Sequence, residues 1–371
     1  MELGMFTMPS HPPERQPFEA MDWDLQNLRW ADEYGYSEVW IGEHFTSPWE
    51  PVPAPDLLIA QAIDQTSRVK LAPGAHLLPF HHPAELAHRV AQLDHMLQGR
   101  FMFGVGSAGL PSDWKLFNVD GFAGENRRMT AEALDLILRI WAAEEPFTHK
   151  GEFYTVSYDP EPQFNTLKAW LKPYQKPHPP IGVAGLSAPS PTLELAGERG
   201  FYPMSLNFNP AYVATHWDSV VNGAARSGLT ADRKDWRIVR EVMICDTDAE
   251  ARRWSVDSHM GRMMREYLLP LLTDFGFISH LKGDQSMQDN EVTPEYLADS
   301  AWLVGSPDTV AEKLAEQYET LGGFGTLLLF GFDYQDDPEV WRQSMERMAT
   351  EVMPKVASLV PEAVATATAT G

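Results

Sequence analysis

The run Val39-Trp40-Ile41-Gly42-Glu43-His44 is apolar until it ends in a carboxylate and an imidazole. A titratable pair placed where a strand stops is how a barrel or an open sheet presents chemistry to a ligand. His44 could serve there as acid, base or hydrogen-bond donor near neutral pH. Glu43 could orient it or point to the other side, and a histidine satisfied within the fold is the competing reading. The pattern recurs downstream. Lys70-Leu71-Ala72-Pro73-Gly74-Ala75-His76 ends in a histidine, and Phe101-Met102-Phe103-Gly104-Val105-Gly106-Ser107 ends in small residues. His76, His81 and His82 do not have a helical metal spacing such as HExxH, so no metal is expected; His76 reads as a cofactor or substrate contact. Gly104 to Gly109 spells GxGxxG, but a dinucleotide fingerprint belongs at the first strand and feeds a helix directly. Glycines that let a flat ligand approach the backbone are the alternative. The stretch from Gly185 to Thr192 follows a strand-like run and precedes a helical one. Ser187, Ser190 and Thr192 could therefore hold an anion at a helix N-terminus, or Ser190 could simply cap the helix. Arg127 and Arg128 are candidate charge partners, or part of a solvated face.

These residues need a scaffold that brings distant strand ends together. Strand-like runs are expected at Leu3–Thr7, Val39–Gly42, Val69–Ala75, Arg100–Val105, Pro180–Ala184, Phe201–Leu206, Trp236–Cys245 and Thr326–Phe330. Helical patterns separate them: 18–34, 54–67, 83–98, 125–143, 191–197, 211–227, 247–269, 308–320 and, after the last strand, 338–353. Alternation of strand and helix argues for a parallel sheet, and eight βα units imply an α/β fold closed as a (β/α)8 TIM barrel. The Pro- and aromatic-rich segment 147–180 and the irregular segment 271–299 read as insertions. The expected organisation is a single barrel domain over 1–360 with a flexible low-complexity tail at 361–371.

The chain has 371 residues, 44% of them hydrophobic, enough for a large core. Its net charge of −23 argues against nucleic acid and anionic membranes as partners. An anionic cofactor would then need local cations or helix N-termini. The lone cysteine, Cys245, excludes an intrachain disulfide and a cysteine metal cluster and reads as a buried thiol. No run approaches ~18 apolar residues, so a cytoplasmic enzyme is expected. Much of the Met and aromatic content must be core, and apolar outer helices suggest a homodimer.

Several of these pieces, taken in order, resemble the bacterial luciferase-like flavin monooxygenases. They are Trp40-Ile41-Gly42-Glu43-His44-Phe45-Thr46, the Ala75–Pro79 run with His82-Pro83, and Leu93-Asp94 with Gly99-Arg100-Phe101. Phe103-Gly104-Val105-Gly106, Ala196-Gly197-Glu198-Arg199-Gly200, Gly305-Ser306-Pro307 and Val352-Met353-Pro354 complete the set. The chain looks most like the limonene and diketocamphane monooxygenase branch. The resemblance implies reduced FMN (FMNH2) delivered by a separate NAD(P)H:flavin reductase, and O2 activated through a C4a-peroxyflavin. One oxygen atom would enter a small apolar substrate such as a terpene, cyclic ketone or long-chain carbonyl. It places His44 on the family's catalytic histidine and Gly74-Ala75 under the flavin ring. Arg127 and the loop Leu186, Ser187, Ser190 and Thr192 fall in the phosphate region. Gly106 stands where light-emitting members carry a reactive cysteine, and Ser107 where they carry an arginine. The alternatives are an F420-dependent oxidoreductase on the same barrel and a non-catalytic flavin-binding subunit.

Overall fold

Among the described residues thirteen strands form, most of them apolar runs: β1 (Glu2–Thr7), β2 (Glu38–Ile41), β3 (Lys70–Pro73), β4 (His76–Leu77), β5 (Phe103–Gly106), β6 (Phe147–Lys150), β7 (Thr155–Tyr158), β8 (Ile181–Gly185), β9 (Tyr202–Ser205), β10 (Arg237–Arg240), β11 (Val242–Ile244), β12 (Leu303–Gly305) and β13 (Thr326–Phe330). The structure, a computed structural model, describes residues 1–361, so of the expected tail all but Pro361 lies outside the described residues.

Nine strands make one parallel sheet in the order β3-β2-β1-β13-β10-β9-β8-β5-β4. β3 and β4 are two halves of one stave, interrupted at Gly74–Ala75. That stave pairs with β2 on one edge, through Val39↔Leu71 and Trp40↔Ala72. On the other edge it meets the fourth stave through the Leu71–Phe101 bridge and His76↔Val105. Counting the two halves as one leaves eight staves, and the sheet closes on itself as the TIM barrel expected from the alternation.

The barrel floor is packed around one side chain. Trp40 is buried, and its indole N–H donates to Glu38 at 2.8 Å. Glu38 in turn pairs with Arg237 across the barrel at 3.1 Å. The indole fits because facing staves carry glycine. A Cβ on Gly182 would lie 2.4 Å from Trp40 Cη2, and one on Gly104 would lie 3.2 Å from Cζ3. Outside the staves lie helices such as Pro17–Glu33, Pro55–Ala62, Pro83–Leu97, Glu125–Ala142, Pro191–Arg199 and Pro307–Leu321. Many start on proline, which has no N–H to leave unpaired in a first turn. Among the described residues no helix is long and apolar enough to cross a membrane.

The structure adds local detail to the expected insertions and corrects some of the expected elements. Segment 147–180 opens with an antiparallel hairpin, β6 against β7, whose alternating pattern is short and half-exposed. Segment 271–299 is largely short helical turns, ending in Pro294–Ser300 with Thr293 as its cap. The run Trp236–Cys245 divides at Glu241: β10 stays in the barrel and β11 leaves it to pair with β12, a strand the apolar pattern did not reveal. The helix expected over Thr247–Leu269 breaks near Ser258 and continues as a π-helical turn, Met264–Leu268. A short helix, Pro111–Leu116, was not foreseen.

Gly182→Ala is expected to overpack the floor and destabilise the fold by about 1–3 kcal/mol. A urea unfolding curve should show a lower midpoint with an unchanged slope.

Candidate active site

Because all eight staves are parallel, their C-terminal ends share one rim. Glu43 and His44 leave β2 at that rim and turn to different partners. The Glu43 carboxylate is fully buried, with His76 Nδ1 at 3.0 Å and His81 Nε2 at 2.7 Å. Burial would raise its pKa, but the hydrogen bonds and charges of the two imidazoles outweigh that and hold it at about 2. His81 Nδ1 faces Arg89 Nη2 at 3.1 Å. A guanidinium only donates, so Nδ1 accepts and the ring proton sits on Nε2, toward Glu43. Glu43, His76 and His81 have the composition of a metal site, with candidate ligand atoms within 4.8 Å of one another. A metal-bound His81 would need its lone pair on Nε2 and a proton on Nδ1 given to an acceptor, and Arg89 is no acceptor. The cluster is a hydrogen-bond network around one buried carboxylate. His76, expected to meet a cofactor, has a buried ring whose Nδ1 lies 3.0 Å from Glu43 and whose Nε2 has no hydrogen-bond partner among the described residues.

His44 lies between two other carboxylates. Its Nδ1 is 3.3 Å from Asp113 Oδ2, and its Nε2 is 3.6 Å from Glu50 Oε2. The imidazole is 12% exposed, the only one of the three side chains to reach appreciably into solvent. Asp113 comes from the helix Pro111–Leu116 and also accepts the Phe45 N–H at 3.3 Å and the Thr46 hydroxyl at 2.5 Å. Burial pulls the His44 pKa down, but Glu50 and Asp113 push it further up, so it ends raised. Burial pushes Asp113 upward, yet its bonds from His44 and Thr46 bring it below the usual carboxylate range. Burial wins at Glu50, whose pKa is raised although His44 and Tyr267 oppose it. The Tyr267 hydroxyl donates to Glu50 Oε2 at 2.7 Å. Beside this group Phe45 meets Phe117 edge-on at 4.7 Å, and Phe117 stacks on Phe80 at 4.3 Å.

Sequence reasoning missed Asp113, Glu50 and Tyr267. Asp113 had a signal: proline at a helix start followed by an acid in the first turn. Glu50, in a loop without periodicity six residues after His44, had none, and Tyr267 had none because its partners are remote in the chain.

The other expected site residues gather along the same rim. Ala75 and Gly106 are half-buried neighbours: a Cβ on Gly106 would sit 3.2 Å from that of Ala75. The Gly74–Ala75 peptide is cis. Ser107 is half-buried, and its carbonyl accepts from Asn126 Nδ2 at 2.8 Å. Asn126 adjoins Arg127 in the first turn of Glu125–Ala142; Arg127 is exposed and its guanidinium makes no hydrogen bond or ion pair among the described residues. Leu186 is exposed and Ser187 half-buried, its hydroxyl donating to the Pro189 carbonyl at 3.1 Å. Ser190 is buried and caps Pro191–Arg199, accepting the Leu193 N–H at 3.3 Å, with the half-buried Thr192 hydroxyl 3.1 Å away. Ser190 is thus committed to capping, while the Ser187 and Thr192 hydroxyls and Arg127 stay accessible. A further buried group, also unforeseen, follows β1: His11 lies 2.9 Å from Asp333 and 3.2 Å from Asp24, and despite burial these carboxylates raise it to about 9.

Comparison with known proteins places this geometry. The sequence model of a family described as luciferase-like monooxygenase matches residues 1–323. The 3,6-diketocamphane 1,6-monooxygenase of Pseudomonas putida is 35% identical, over 96% of this chain and 98% of the relative. Limonene 1,2-monooxygenase of Rhodococcus erythropolis is 30% identical, over 95% of this chain and 86% of the relative. A solved structure superposes with a TM-score of 0.90 at 35% identity, over 96% of this chain and 98% of that one. It is described as a type II Baeyer–Villiger monooxygenase, the oxygenating constituent of 3,6-diketocamphane monooxygenase from the CAM plasmid of Pseudomonas putida, in complex with FMN.

A carboxylate depressed from 4.5 to about 2 stabilises the fold above pH 4.5, and that contribution is lost as pH falls through about 2. Glu43→Gln is expected to cost about 2–4 kcal/mol at pH 7. The stability difference from the unmodified protein, followed by denaturant titration, should shrink between about pH 4.5 and pH 2.

Proposed function

Because the chain belongs to the luciferase-like monooxygenase family, we propose that it is the oxygenase component of a two-component flavin system. It takes reduced FMN from a separate NAD(P)H:flavin reductase. With O2 it transfers one oxygen atom to a small apolar substrate, a cyclic ketone or terpene, and releases the other as water. The observation that carries this reading is His44 at the barrel rim, held between Asp113 and Glu50, with the half-buried Ala75 and Gly106 at the ends of the next two staves. The relatives named above are oxygenases, which favours this over an F420-dependent reaction.

The residues suit FMN. The small Ala75 and Gly106 leave room for a flat ring to approach the backbone. The Ser187 and Thr192 hydroxyls would hold the phosphate at the start of the helix Pro191–Arg199, where backbone dipoles favour an anion. Arg127 would supply the local cation that a chain of net charge −23 needs there. Reduced FMN, when bound, supplies the two electrons that activate O2.

The protein's own part is orientation and proton control. Asp113 accepts a hydrogen bond from the Nδ1–H of His44 and so fixes the ring plane. Nε2 is left as the atom that holds or gives a proton at the site. Phe45, Phe80 and Phe117 set an apolar wall beside it, which limits water and suits an apolar substrate. Leu57 and Met96, exposed on the touching outer helices Pro55–Ala62 and Pro83–Leu97, support the homodimer we also propose.

His44→Ala should lower kcat/KM for oxygenation of a bicyclic ketone by about 10²–10⁴-fold, with oxygen consumption and product measured together using chemically reduced FMN. An unchanged ratio of product to oxygen at an unchanged rate rules out the role. Arg127→Met should raise the Kd for reduced FMN about 10–100-fold in anaerobic titration, the loss of one charge-assisted hydrogen bond.

A further inference from the structure

Asp113 alone would hold His44 as a neutral ring. Its carboxylate accepts a hydrogen bond from Nδ1–H, leaving the lone pair on Nε2, and such a histidine is a base. The structure adds a second acid on the Nε2 side. Glu50 Oε2 lies 3.6 Å from Nε2, and the Glu50 side chain is 5% exposed. Its position is not incidental to the loop. The Tyr267 hydroxyl donates to the same oxygen at 2.7 Å, and the Ser47 hydroxyl reaches Tyr267 at 3.0 Å. Trp49, the residue before Glu50, stacks on the Tyr267 ring at 5.9 Å with planes 11° apart. The Arg262 guanidinium covers Trp49 at 5.6 Å. Tyr267 itself stands in the π-helical turn Met264–Leu268, an irregularity that often marks functional positions.

We infer that Glu50 is a positioning residue that makes His44 a proton donor rather than a proton acceptor, and that Tyr267 holds Glu50 in place for this task. The inference rests on the oxygenase reading for its functional meaning but not for its geometry. With carboxylates on both ring nitrogens, the imidazole keeps its second proton, on Nε2, as a cation. The charged and titratable groups around it are Glu50 and the adjoining Glu43 on its own loop, Asp113 from the helix Pro111–Leu116, and Tyr267 from the π-helical turn. The raised pKa of His44 agrees with this. A group with a raised pKa carries its proton below that pKa and loses it as pH rises through it, so an activity that needs the proton fails on the alkaline side.

The test needs neither flavin nor substrate for its first arm. In the apoprotein, the 15N shifts of His44 should show an imidazolium at pH 7.5, and in Glu50→Gln the titration midpoint should fall by at least one pH unit, a tenfold loss of proton affinity. Glu50→Asp should recover part of the shift. The second arm reads turnover: Glu50→Gln should lose about tenfold or more in kcat at pH 7.5, with KM little changed, and regain it below the new midpoint. Rescue by lower pH separates charge control from a merely structural role. A neutral His44 at pH 7.5 in the unmodified protein overturns the inference, and this holds even if the variant does not fold. An unmoved midpoint in a folded Glu50→Gln also overturns it. A shifted midpoint in a protein without oxygenase activity upholds Glu50's hold on His44 and overturns the oxygenase reading instead.

Discussion

A carboxylate taken out of water must find donors or cations, or it drives the structure apart. Three of them, Glu43, Glu50 and Asp113, are buried around a single short loop at the end of β2. Glu43 takes two imidazoles. Asp113 takes the ring of His44, a backbone N–H and a hydroxyl. Glu50 takes a phenol and the far side of His44. Satisfying all three leaves His44 one orientation. The Glu43 side of the arrangement reaches further, because Arg89, which holds His81, is also paired with Asp56 at 2.6 Å. The loop is thereby tied to the helices Pro55–Ala62 and Pro83–Leu97 on the barrel's outside, and to Pro111–Leu116 at its rim.

The division of labour between adjacent residues follows from backbone geometry. Successive side chains of an extended segment point to opposite sides. Glu43 therefore serves the packing between barrel and helices, while His44 serves the rim. The same alternation separates Ala75, half-open beside Gly106, from His76, buried under Glu43. A strand end thus supplies one residue to the site and one to the frame that steadies it.

The barrel floor does the corresponding work from below. Trp40, Glu38 and Arg237 fill and pin the interior, and the glycines of facing staves accept the indole. Polar chemistry is confined to the opposite end, where loops can vary without disturbing the floor. The strongly negative chain also makes the local cation significant: Arg127, its guanidinium exposed and unpaired among the described residues at the start of its helix, is the one we propose for an anionic ligand.

Much of this was legible in the residues alone. Alternation of apolar runs with helical patterns determined the parallel barrel, and polar cargo at the ends of those runs pointed to His44, Ala75, Gly106 and the Leu186–Thr192 loop. These signals are local: periodicity, strand ends, glycines and caps each lie within a few residues. Short elements escaped because their patterns are too brief to stand out, as with β12, the β6–β7 hairpin and Pro111–Leu116. What only the tertiary structure decided is which acid faces which imidazole. His76 Nδ1 went to Glu43, and His44 went to Asp113 and Glu50, partners 69 and 6 positions away, with Tyr267 a further 217 beyond Glu50. Electrostatic pairing depends on distance in space and on burial, and neither is written in sequence spacing until the chain has closed into a barrel.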